Sequence, residues 1–504
     1  MKHFMSSFAK GGFYYTITAL HPEVTGSCLF VKVHYPDGKV THFIVDCGMF
    51  QEAEYTQLNN QQLPFCSSKI SFALITHNHA DHNGRLPVLV KEGFKGKIYC
   101  TNFTKQVMRY SLMDDYKIMM SNARNKKLKI MYSESDIDEV MARTEGCEYE
   151  ETIYLDERIK ATFLDNGHLP GAAMILVQIS YYGEETLNLL FTGDYKAKSL
   201  WREIKDVPEW VKALPKDVVI ESTYGYMESS EVEYHYEEDI PQIIARGKSI
   251  LQMTFAQERA QTFLYEIKKM QDCGSIPRYI PIYVDGALAQ FFTKSMQEYT
   301  DIDFMPKNVT FVDKYNRPEV AMGHKQKIIL TTSGMADHGT ARIYVPQLIA
   351  RDDFVFYFPG YVSPSSLGYK IQHSDDGTIK IGKDVYEIWV ETYTTTEFSS
   401  HAKSDELITL LRNLGIVNTI MINHGQIESQ YMLKDKIVAE KIGKRVEVLS
   451  EHTITIGHWG ILKMMGAKLY KVKTPKKENL HEKKCGLRNL HSKRRRAVYS
   501  GKRH

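Results

Sequence analysis

The stretch THNHADH, residues 76–82, places three imidazoles and one carboxylate within six consecutive positions. It follows the apolar run ISFALI, residues 70–75, which has the length and composition of a short buried strand. The first two histidines alternate along the chain and can point to one side, whereas Asp81 and His82 come after the turn. Imidazole and carboxylate ligands together suit Zn, Mn or Fe, so the stretch predicts a site for two neighbouring metal ions.

Two metal ions need more ligands than one loop supplies, and other candidates follow similar apolar runs. They are Asp46 after residues 43–45, Asp194 after residues 187–191, Glu221 after residues 218–220, His424 after residues 419–422, and His168 within the turn-rich segment 166–171. The strand ends of a layered α/β protein converge on one edge of the sheet, where loops build active sites. We therefore expect these side chains to lie close to the histidine stretch.

Composition favours a large globular enzyme over a membrane or secreted protein. A chain of 504 residues with 43% hydrophobic residues allows roughly three domains with large cores. No uninterrupted apolar run approaches the roughly 20 residues of a membrane span, and the N-terminus lacks the apolar region of a signal peptide. Seven cysteines without C-x-x-C spacing are typical of free thiols in a reducing compartment, so we expect a cytoplasmic location.

The net charge of +3 conceals an uneven distribution along the chain. Residues 471–504 hold thirteen Lys or Arg and two Asp or Glu, a net charge of +11, which leaves about −8 on residues 1–470. This basic tail has few apolar residues, a composition typical of disordered segments. Two interpretations stay open: an electrostatic contact with nucleic acid, and a solubilising end without a specific role.

The motifs and their order resemble the metallo-β-lactamase superfamily. The histidine stretch, the Gly-His at 167–168, the Thr-Gly-Asp at 192–194 and the His-Gly at 424–425 are similar to that fold, and the similarity runs from about Thr18 to Ile456. Four segments are similar to its β-CASP branch: ESTYG at 221–225, FAQERAQ at 255–261, SGM at 333–335 and FSSH at 398–401. That branch holds RNA-processing nucleases such as RNase J and the cleavage and polyadenylation nuclease, along with DNA-repair nucleases. Residues 166–173 resemble the short bacterial and archaeal RNases of the group.

The resemblance implies an α/β architecture: a metallo-β-lactamase αββα sandwich with an inserted β-CASP domain. The expected division is residues 1–210 for the first part of the sandwich, 211–394 for the β-CASP domain, 395–465 for the second part of the sandwich, and 466–504 for the basic tail. Sandwich strands are expected near residues 13–19, 28–34, 42–46, 70–76 and 187–192, with a helix over 104–125. Within the insert, apolar runs at 249–254, 280–284, 328–332 and 354–358 alternate with stretches of helical periodicity, which predicts a parallel sheet flanked by helices.

The resemblance also implies a ligand set for two divalent ions, with Zn²⁺ expected and Mn²⁺ as the alternative. One ion would be held by His77, His79, His168 and Asp194, and the other by Asp81, His82, Asp194 and His424. Asp194 would bridge ions about 3.5–4 Å apart, with a hydroxide opposite it. Two such ions lower the pKa of bound water from 15.7 toward about 7, which makes hydroxide available at neutral pH.

His401 resembles the general acid of the family, with Glu221 as the carboxylate that orients it. A neighbouring carboxylate keeps an imidazole protonated near neutral pH, as protonation of a leaving 3′-oxygen requires. The alternatives are that His401 is an ordinary residue before a helix and that Glu221 lies in a surface turn. The resemblance makes Asp46 a group that orients the metal ligands.

Backbone N–H groups of Gly-rich turns in the insert are candidates for RNA phosphate binding. The turns contain Ser333 and Gly334, and Gly360 and Ser363, and similar loops in the family hold the RNA backbone. Arg259 and Arg342 can supply positive charge there, although a salt bridge in the domain interface is an equal alternative for either.

These features predict a metal-dependent ribonuclease that hydrolyses single-stranded RNA and leaves 5′-phosphate and 3′-hydroxyl ends. A metal hydroxide needs no 2′-OH, so the chemistry also permits DNA; resemblance favours RNA, because RNA-cleaving members carry a histidine at the position of His424. A DNA nuclease and a partner-dependent RNA-processing subunit stay as alternatives. A small-molecule hydrolase would lack the insert, and a catalytically inactive scaffold would have lost ligands. Endonuclease or 5′-exonuclease mode and homodimer formation stay open.

Overall fold

Two β-sheets packed face to face form the larger part of the protein in the computed structural model. The residues described are 12–21, 23–52, 55–126, 130–360, 362–449, 454–457 and 460–463. The predicted basic tail lies outside this range.

The first sheet joins the beginning of the chain to its last described strands. Its eight strands within the described ranges run in the order Gly460–Lys463, Ile454–Gly457, Tyr14–Ala19, Leu29–His34, Val40–Val45, Phe72–Leu74, Lys97–Thr101 and Thr144–Cys147. The strands up to Val40–Val45 pair antiparallel, and the remaining three continue in parallel. The parallel strands therefore bring the loops after residues 45 and 74 to the same edge.

The second sheet combines residues from both sides of the insert. Its seven strands in the described part follow the order Arg445–Val448, Val417–Ile422, Lys216–Ile220, Leu187–Phe191, Ala173–Ile179, Ile159–Asp165 and Thr152–Tyr154. The first four are parallel to one another, so their carboxyl ends also share one edge. The strands Ala173–Ile179 and Ile159–Asp165, which lie well inside the sheet, were not among the predicted strands.

The αββα sandwich is confirmed, with one core between the sheets and another outside each of them. Tyr15 and Phe43 of the first sheet pack with Phe163 and Phe191 of the second in the central core. Helices Leu86–Lys91, Asn102–Lys126 and Glu134–Arg143 cover the first sheet, and helices Glu209–Lys212, Ser404–Asn413 and Ile427–Ala439 cover the second. Because both faces of each sheet are buried, many strands are apolar at nearly every position.

The inserted domain is a parallel sheet with helices on both faces, as predicted. Its six strands in the described part run in the order Val309–Val312, Ile282–Asp285, Ile328–Thr331, Ser249–Met253, Phe354–Phe358 and Glu391–Thr394. One face packs on helices Tyr236–Ala245, Arg259–Asp272 and Ala287–Tyr299, and the other on helices Arg317–Met322, Ala341–Leu348 and Leu367–Gln372. A hairpin of strands Thr378–Ile381 and Asp384–Glu387 precedes the last strand.

The pairing of the strand Lys216–Ile220 bears on the expected domain boundary at residue 211. It hydrogen-bonds between Leu187–Phe191 and Val417–Ile422, so it belongs to the sandwich and not to the insert. The apolar run alone does not reveal which sheet a strand joins, because both sheets bury it on two faces. We therefore propose that the inserted domain begins after Ile220.

None of the helices in the described ranges is both long enough and apolar enough to cross a bilayer.

A buried hydrogen bond between the two sheets provides a test of the sandwich. Tyr15 Oη donates to Asp217 Oδ2 at 2.9 Å, and the backbone N–H of Thr419 donates to Asp217 Oδ1 at 3.0 Å. We expect Tyr15→Phe to lower the free energy of unfolding by about 1–3 kcal/mol, because it leaves a buried carboxylate short of one donor. The measurement is equilibrium denaturation in urea.

Tyr132→Phe is the matched control, because the Tyr132 hydroxyl is also buried but has no hydrogen-bond partner within the described ranges. Because that hydroxyl makes no hydrogen bond within those ranges, its loss should not lower the free energy of unfolding. Equal effects of the two substitutions would contradict the role given to the inter-sheet hydrogen bond.

Candidate metal centre

The shared edge of the two sheets brings the predicted ligands together. From the first sheet, the strand ending at Leu74 leads into the histidine stretch, whose last residues form the short helix Ala80–Asn83. From the second sheet, Asp194 and His424 follow the strands Leu187–Phe191 and Val417–Ile422. His168 lies in the loop between the strands Ile159–Asp165 and Ala173–Ile179 of the same sheet. The site is therefore built from segments distant in sequence.

The first group of ligand atoms is formed by three imidazoles and one carboxylate. His77, His79, His168 and Asp194 each place one ligand atom within 4.8 Å of the others. The Nδ1 atom of His79 lies 3.0 Å from His77 Nε2 and 3.3 Å from His168 Nε2. Asp194 Oδ2 is 3.5 Å from His77 Nε2 and 3.6 Å from His168 Nε2. Nitrogen atoms gathered in this way, facing one oxygen, have the arrangement of ligands around a metal ion.

The second group lies on the other side of the same carboxylate. Asp81, His82 and His424 also place ligand atoms within 4.8 Å of one another. His82 Nε2 is 3.3 Å from Asp194 Oδ2, and His424 Nε2 is 3.1 Å from Asp194 Oδ1. The two oxygen atoms of Asp194 therefore face both groups, which is the arrangement that a bridging ligand requires.

Four buried atoms of the site make no hydrogen bond within the described part of the chain: His82 Nε2, both ring nitrogens of His424, and Asp194 Oδ1. Buried polar atoms are almost always hydrogen-bonded or bound to a metal, because an unpaired one costs free energy. All four belong to the second group or to the shared carboxylate. The donor set, made of imidazole nitrogen and carboxylate oxygen, fits a divalent metal ion at this point.

The pKa values and charges of the site also favour the binding of cations. Burial lowers the pKa of His79 to about 4 and the pKa of His77 and His168 well below the ordinary value, so these imidazoles are neutral, as metal ligands must be. Around His82 the balance differs: burial lowers its pKa, but Asp194 and other nearby carboxylates outweigh burial and raise it. The excess negative charge there is what a bound cation would offset.

Asp46 lies behind His82 and holds it in place. Asp46 Oδ2 is 2.8 Å from His82 Nδ1, and Asp46 also accepts hydrogen bonds from the backbone N–H and the hydroxyl of Thr76. This contact leaves Nε2 of His82 as the atom that faces Asp194. The arrangement supports the orienting role expected of Asp46, with Thr76 as a partner that sequence reasoning missed although it begins the histidine stretch.

His401 and Glu221 lie beside the metal ligands as a hydrogen-bonded pair. His401 Nδ1 is 3.1 Å from Glu221 Oε2 and 3.9 Å from Asp194 Oδ2, and Glu221 is buried. Glu221 Oε1 accepts the backbone N–H of Tyr195 at 2.5 Å, which fixes the carboxylate. Burial lowers the pKa of His401, but Glu221 and Asp194 outweigh it and raise the pKa above its ordinary value. Glu221 thus faces the site and does not lie in a surface turn.

Two contacts connect the inserted domain to the predicted metal ligands. One comes from the insert itself, and the other from the return segment, residues 395–403, in which the chain passes from the insert back into the sandwich. Asn78, between the first two histidines, donates to Gln257 Oε1 of the insert at 2.9 Å. His168 Nδ1 lies 2.9 Å from the carbonyl oxygen of Ser400, which directly precedes His401. Neither contact was predicted, because a backbone carbonyl carries no sequence signal and Asn78 is not a ligand type. They fix where the insert sits relative to the ligands.

The expected phosphate-binding residues lie in turns of the inserted domain. Ser333 and Gly334 follow the strand ending at Thr331, and a Cβ atom at Gly334 would lie 3.1 Å from the Phe255 ring and 3.2 Å from Pro359. Gly360 and Ser363 follow the strand Phe354–Phe358, which the strand Ser249–Met253 separates from Ile328–Thr331. Because these strands are parallel, both turns lie at the same edge of the inserted sheet. Their role in phosphate binding stays a prediction.

The two predicted cations of the insert differ in exposure. Arg259 begins the helix Arg259–Asp272 and is 8% exposed, with Nε 3.6 Å from the neighbouring Glu258. Arg342 lies near the start of the helix Ala341–Leu348 and is exposed.

Models of known protein families match three parts of the chain. The metallo-beta-lactamase superfamily matches residues 22–119, the Beta-Casp domain matches residues 260–371, and the Zn-dependent metallo-hydrolase RNA specificity domain matches residues 389–449. The fold and the site thus define a metallo-hydrolase sandwich with an inserted domain. The chain belongs to the β-CASP group of the metallo-β-lactamase superfamily.

Several curated relatives are similar over most of the chain. Probable RNase MJ4 of Methanocaldococcus jannaschii is 27% identical over 84% of this chain and 98% of its own length. Ribonuclease TTHA0252 of Thermus thermophilus is 27% identical over 83% of this chain and 94% of its own. Transcription termination factor FttA of Methanocaldococcus jannaschii is 27% identical over 78% of this chain, and the match spans 63% of that protein's length.

Gly48 provides a test of how the second ligand group is positioned. Residues 47–49 pack directly on the loop that carries Asp81, and a Cβ atom at Gly48 would lie 1.6 Å from the carbonyl oxygen of Asp81. Since that neighbour is backbone, Gly48→Ala must displace Asp81 and His82. We expect the variant to lose about half of its bound metal, measured by mass spectrometry of the purified protein, because one of two ligand groups is disturbed.

Gly38→Ala is the control. A Cβ atom at Gly38 meets nothing within 4 Å, but its φ of +85° makes alanine unfavourable by about 1–2 kcal/mol. This substitution should lower stability without changing metal content. A Gly48→Ala protein with the metal content of the wild type would show that the close packing on Asp81 does not position the ligands.

Proposed function

We propose that the protein is a metal-dependent ribonuclease that hydrolyses phosphodiester bonds of RNA. The observation that carries the proposal is the sharing of one buried carboxylate: Asp194 faces both ligand groups and lies 3.9 Å from His401. A reaction that needs metal ions and a proton donor at one bond therefore has both sets of residues within a few ångströms. The products would carry 5′-phosphate and 3′-hydroxyl ends.

Two divalent ions, with Zn²⁺ expected, are the proposed cofactors. His77, His79, His168 and Asp194 would hold one, and Asp81, His82, Asp194 and His424 the other. When bound, such a pair supplies a nucleophile at neutral pH and offsets the negative charge that develops on the phosphate. Asp46 would hold His82 in the orientation that binding requires, through the 2.8 Å contact at Nδ1.

His401 is the proposed proton donor to the leaving 3′-oxygen. Its Nδ1 faces Glu221, so Nε2 is the atom free to point toward a substrate. Glu221 is itself fixed by the backbone of Tyr195 and so holds the imidazole in one orientation. The pair thereby combines a charged donor with a fixed direction, the two requirements of general acid catalysis.

RNA is the proposed substrate, in preference to DNA. The match to the RNA specificity domain covers residues 389–449, which include His401 and His424. Two relatives that align over nearly their whole length are named ribonucleases. A partner-dependent RNA-processing role is the second candidate, favoured by the similarity to FttA, which is named a transcription termination factor. A cytoplasmic location and single-stranded RNA as the main partner complete the proposal.

Matched single-stranded RNA and DNA of one sequence test the substrate. Each would carry a 3′ label and a 5′-monophosphate, and product sizes would be followed over time with purified protein. We expect cleavage of RNA, no cleavage of DNA, and loss of cleavage in Asp81→Ala, which removes a metal ligand. Discrete internal fragments would establish an endonuclease, and shortening from the 5′ end an exonuclease.

Equal cleavage of both strands would contradict the preference for RNA and favour the DNA nuclease. Cleavage that persists in Asp81→Ala would contradict the metal mechanism.

Substitution of His401 tests the proton donor separately from the metal site. We expect His401→Ala to retain its fold and metal content while kcat falls about 10²–10⁴-fold, the usual contribution of a general acid. Metal content and kcat would be measured on the same preparation. His373→Ala is the control, because His373 is an exposed histidine of the insert that stacks on Tyr369. Loss of metal from the His401→Ala protein would assign His401 to metal binding instead.

A further inference from the structure

Lys403 has a buried ammonium group two residues beyond His401. Its side chain is among the least exposed in the return segment, at 3%, and Nζ has no hydrogen-bond partner in the part of the chain that is described. A buried ammonium normally has a carboxylate or carbonyl partner, because desolvation of a charge is costly. Neither the metal ligands nor the His401–Glu221 pair accounts for this group.

An aromatic ring packs on one side of Lys403 Nζ, and the described part of the chain supplies no hydrogen-bond acceptor for it. Nζ lies 3.3 Å from the centroid of the Tyr224 ring, and the same ring is 6.2 Å from that of His401. The nearby Glu406 accepts from Lys196 Nζ at 3.0 Å and from the backbone N–H of Lys403 at 2.8 Å. Its carboxylate is thus engaged by other donors. Tyr224 is only partly buried, so the ammonium lies beneath a ring that reaches solvent.

Lys403 still carries its proton at neutral pH. Burial lowers the pKa of its amine, and Lys196 lowers it further, against the opposing effect of Glu406 and Glu221, to about 8.

We propose that Lys403 Nζ binds a backbone phosphate of the substrate strand next to the scissile phosphate. This inference rests on the proposed ribonuclease function. A phosphate oxygen supplies the acceptor that the buried ammonium lacks, and the position beside Tyr224 and His401 is adjacent to the proposed chemistry. If Lys403 instead served only to pack on Tyr224, an uncharged side chain of the same length would replace it without effect on RNA binding.

The salt dependence of RNA binding distinguishes these two roles. Fluorescence anisotropy with a labelled single-stranded oligoribonucleotide would be recorded over a series of KCl concentrations. All proteins would carry His401→Ala, so that cleavage does not interfere. We expect Lys403→Met to reduce the slope of log K against log[KCl] by about 0.7, the value for one lost phosphate contact on a single strand. The Kd at low salt should rise about tenfold, as for a lost charge-assisted hydrogen bond.

Two further substitutions make the comparison specific. Lys403→Arg keeps the charge and should keep the slope. Lys39→Met removes an exposed lysine that pairs with Glu157 at the opposite end of the strand Val40–Val45 from Asp46, and should also leave the slope unchanged. Thermal unfolding checks that each protein is folded. If Lys403→Met does not fold, Lys403→Gln takes its place in the same measurement.

The outcomes separate this inference from the proposed function. An unchanged slope in Lys403→Met, with RNA still bound by the parent protein and cleaved by the wild type, would overturn the phosphate contact alone. Failure of the parent protein to bind RNA, together with no cleavage by the wild type, would overturn both. A reduced slope in Lys403→Met that Lys403→Arg restores would support the contact.

Discussion

The site depends on one buried carboxylate that many imidazoles surround. Asp194 is 1% exposed and lies within 4 Å of nitrogen atoms of five histidines. Burial alone would raise its pKa, but His424 and its other neighbours hold it well below the usual range. The side chain of Asn166 fixes this position by donating to the backbone carbonyls of Thr192 and Asp194. Because this buried carboxylate is negatively charged, the positively charged groups of the site must lie next to it.

The sandwich holds Asp194 and the surrounding ligands at fixed distances from one another. Ligands come from both sheets, so the inter-sheet core fixes the distance between them, and close packing of aromatic side chains such as Phe43 and Phe163 makes that distance rigid. The contact between Gly48 and Asp81 extends the same packing into the ligand loop. Rigid support of this kind is what holds ligands within the small tolerances that metal sites and catalysis require.

The return segment, in which the chain passes from the insert back into the sandwich, places further residues beside the ligands. His401 and Lys403 both lie where the chain re-enters the sandwich, tied to it by the contact of Ser400 with His168 and by the hydrogen bond from the Ala402 N–H to the Tyr195 carbonyl. Asn78 and Gln257 connect the insert at a second place. RNA bound between the domains would therefore contact segments that also place the proposed proton donor.

Much of the site could be predicted because ligand chemistry depends on residue type. A dense cluster of imidazole and carboxylate after a buried strand, and further ligand types after similar runs, indicated a site for two metal ions. The resemblance to the metallo-β-lactamase superfamily supplied the division into two ligand groups and the sandwich. The sequence did not reveal that the strand Lys216–Ile220 pairs within the sandwich, because an apolar strand buried on both faces suits either sheet. Nor did it reveal Thr76, the Ser400 carbonyl or the buried state of Lys403, since these depend on neighbours distant in the chain. The amino-acid sequence by itself determined which chemistry is available; only the tertiary structure decided which groups meet and which remain without a partner, because burial and contact distance are properties of the packed chain.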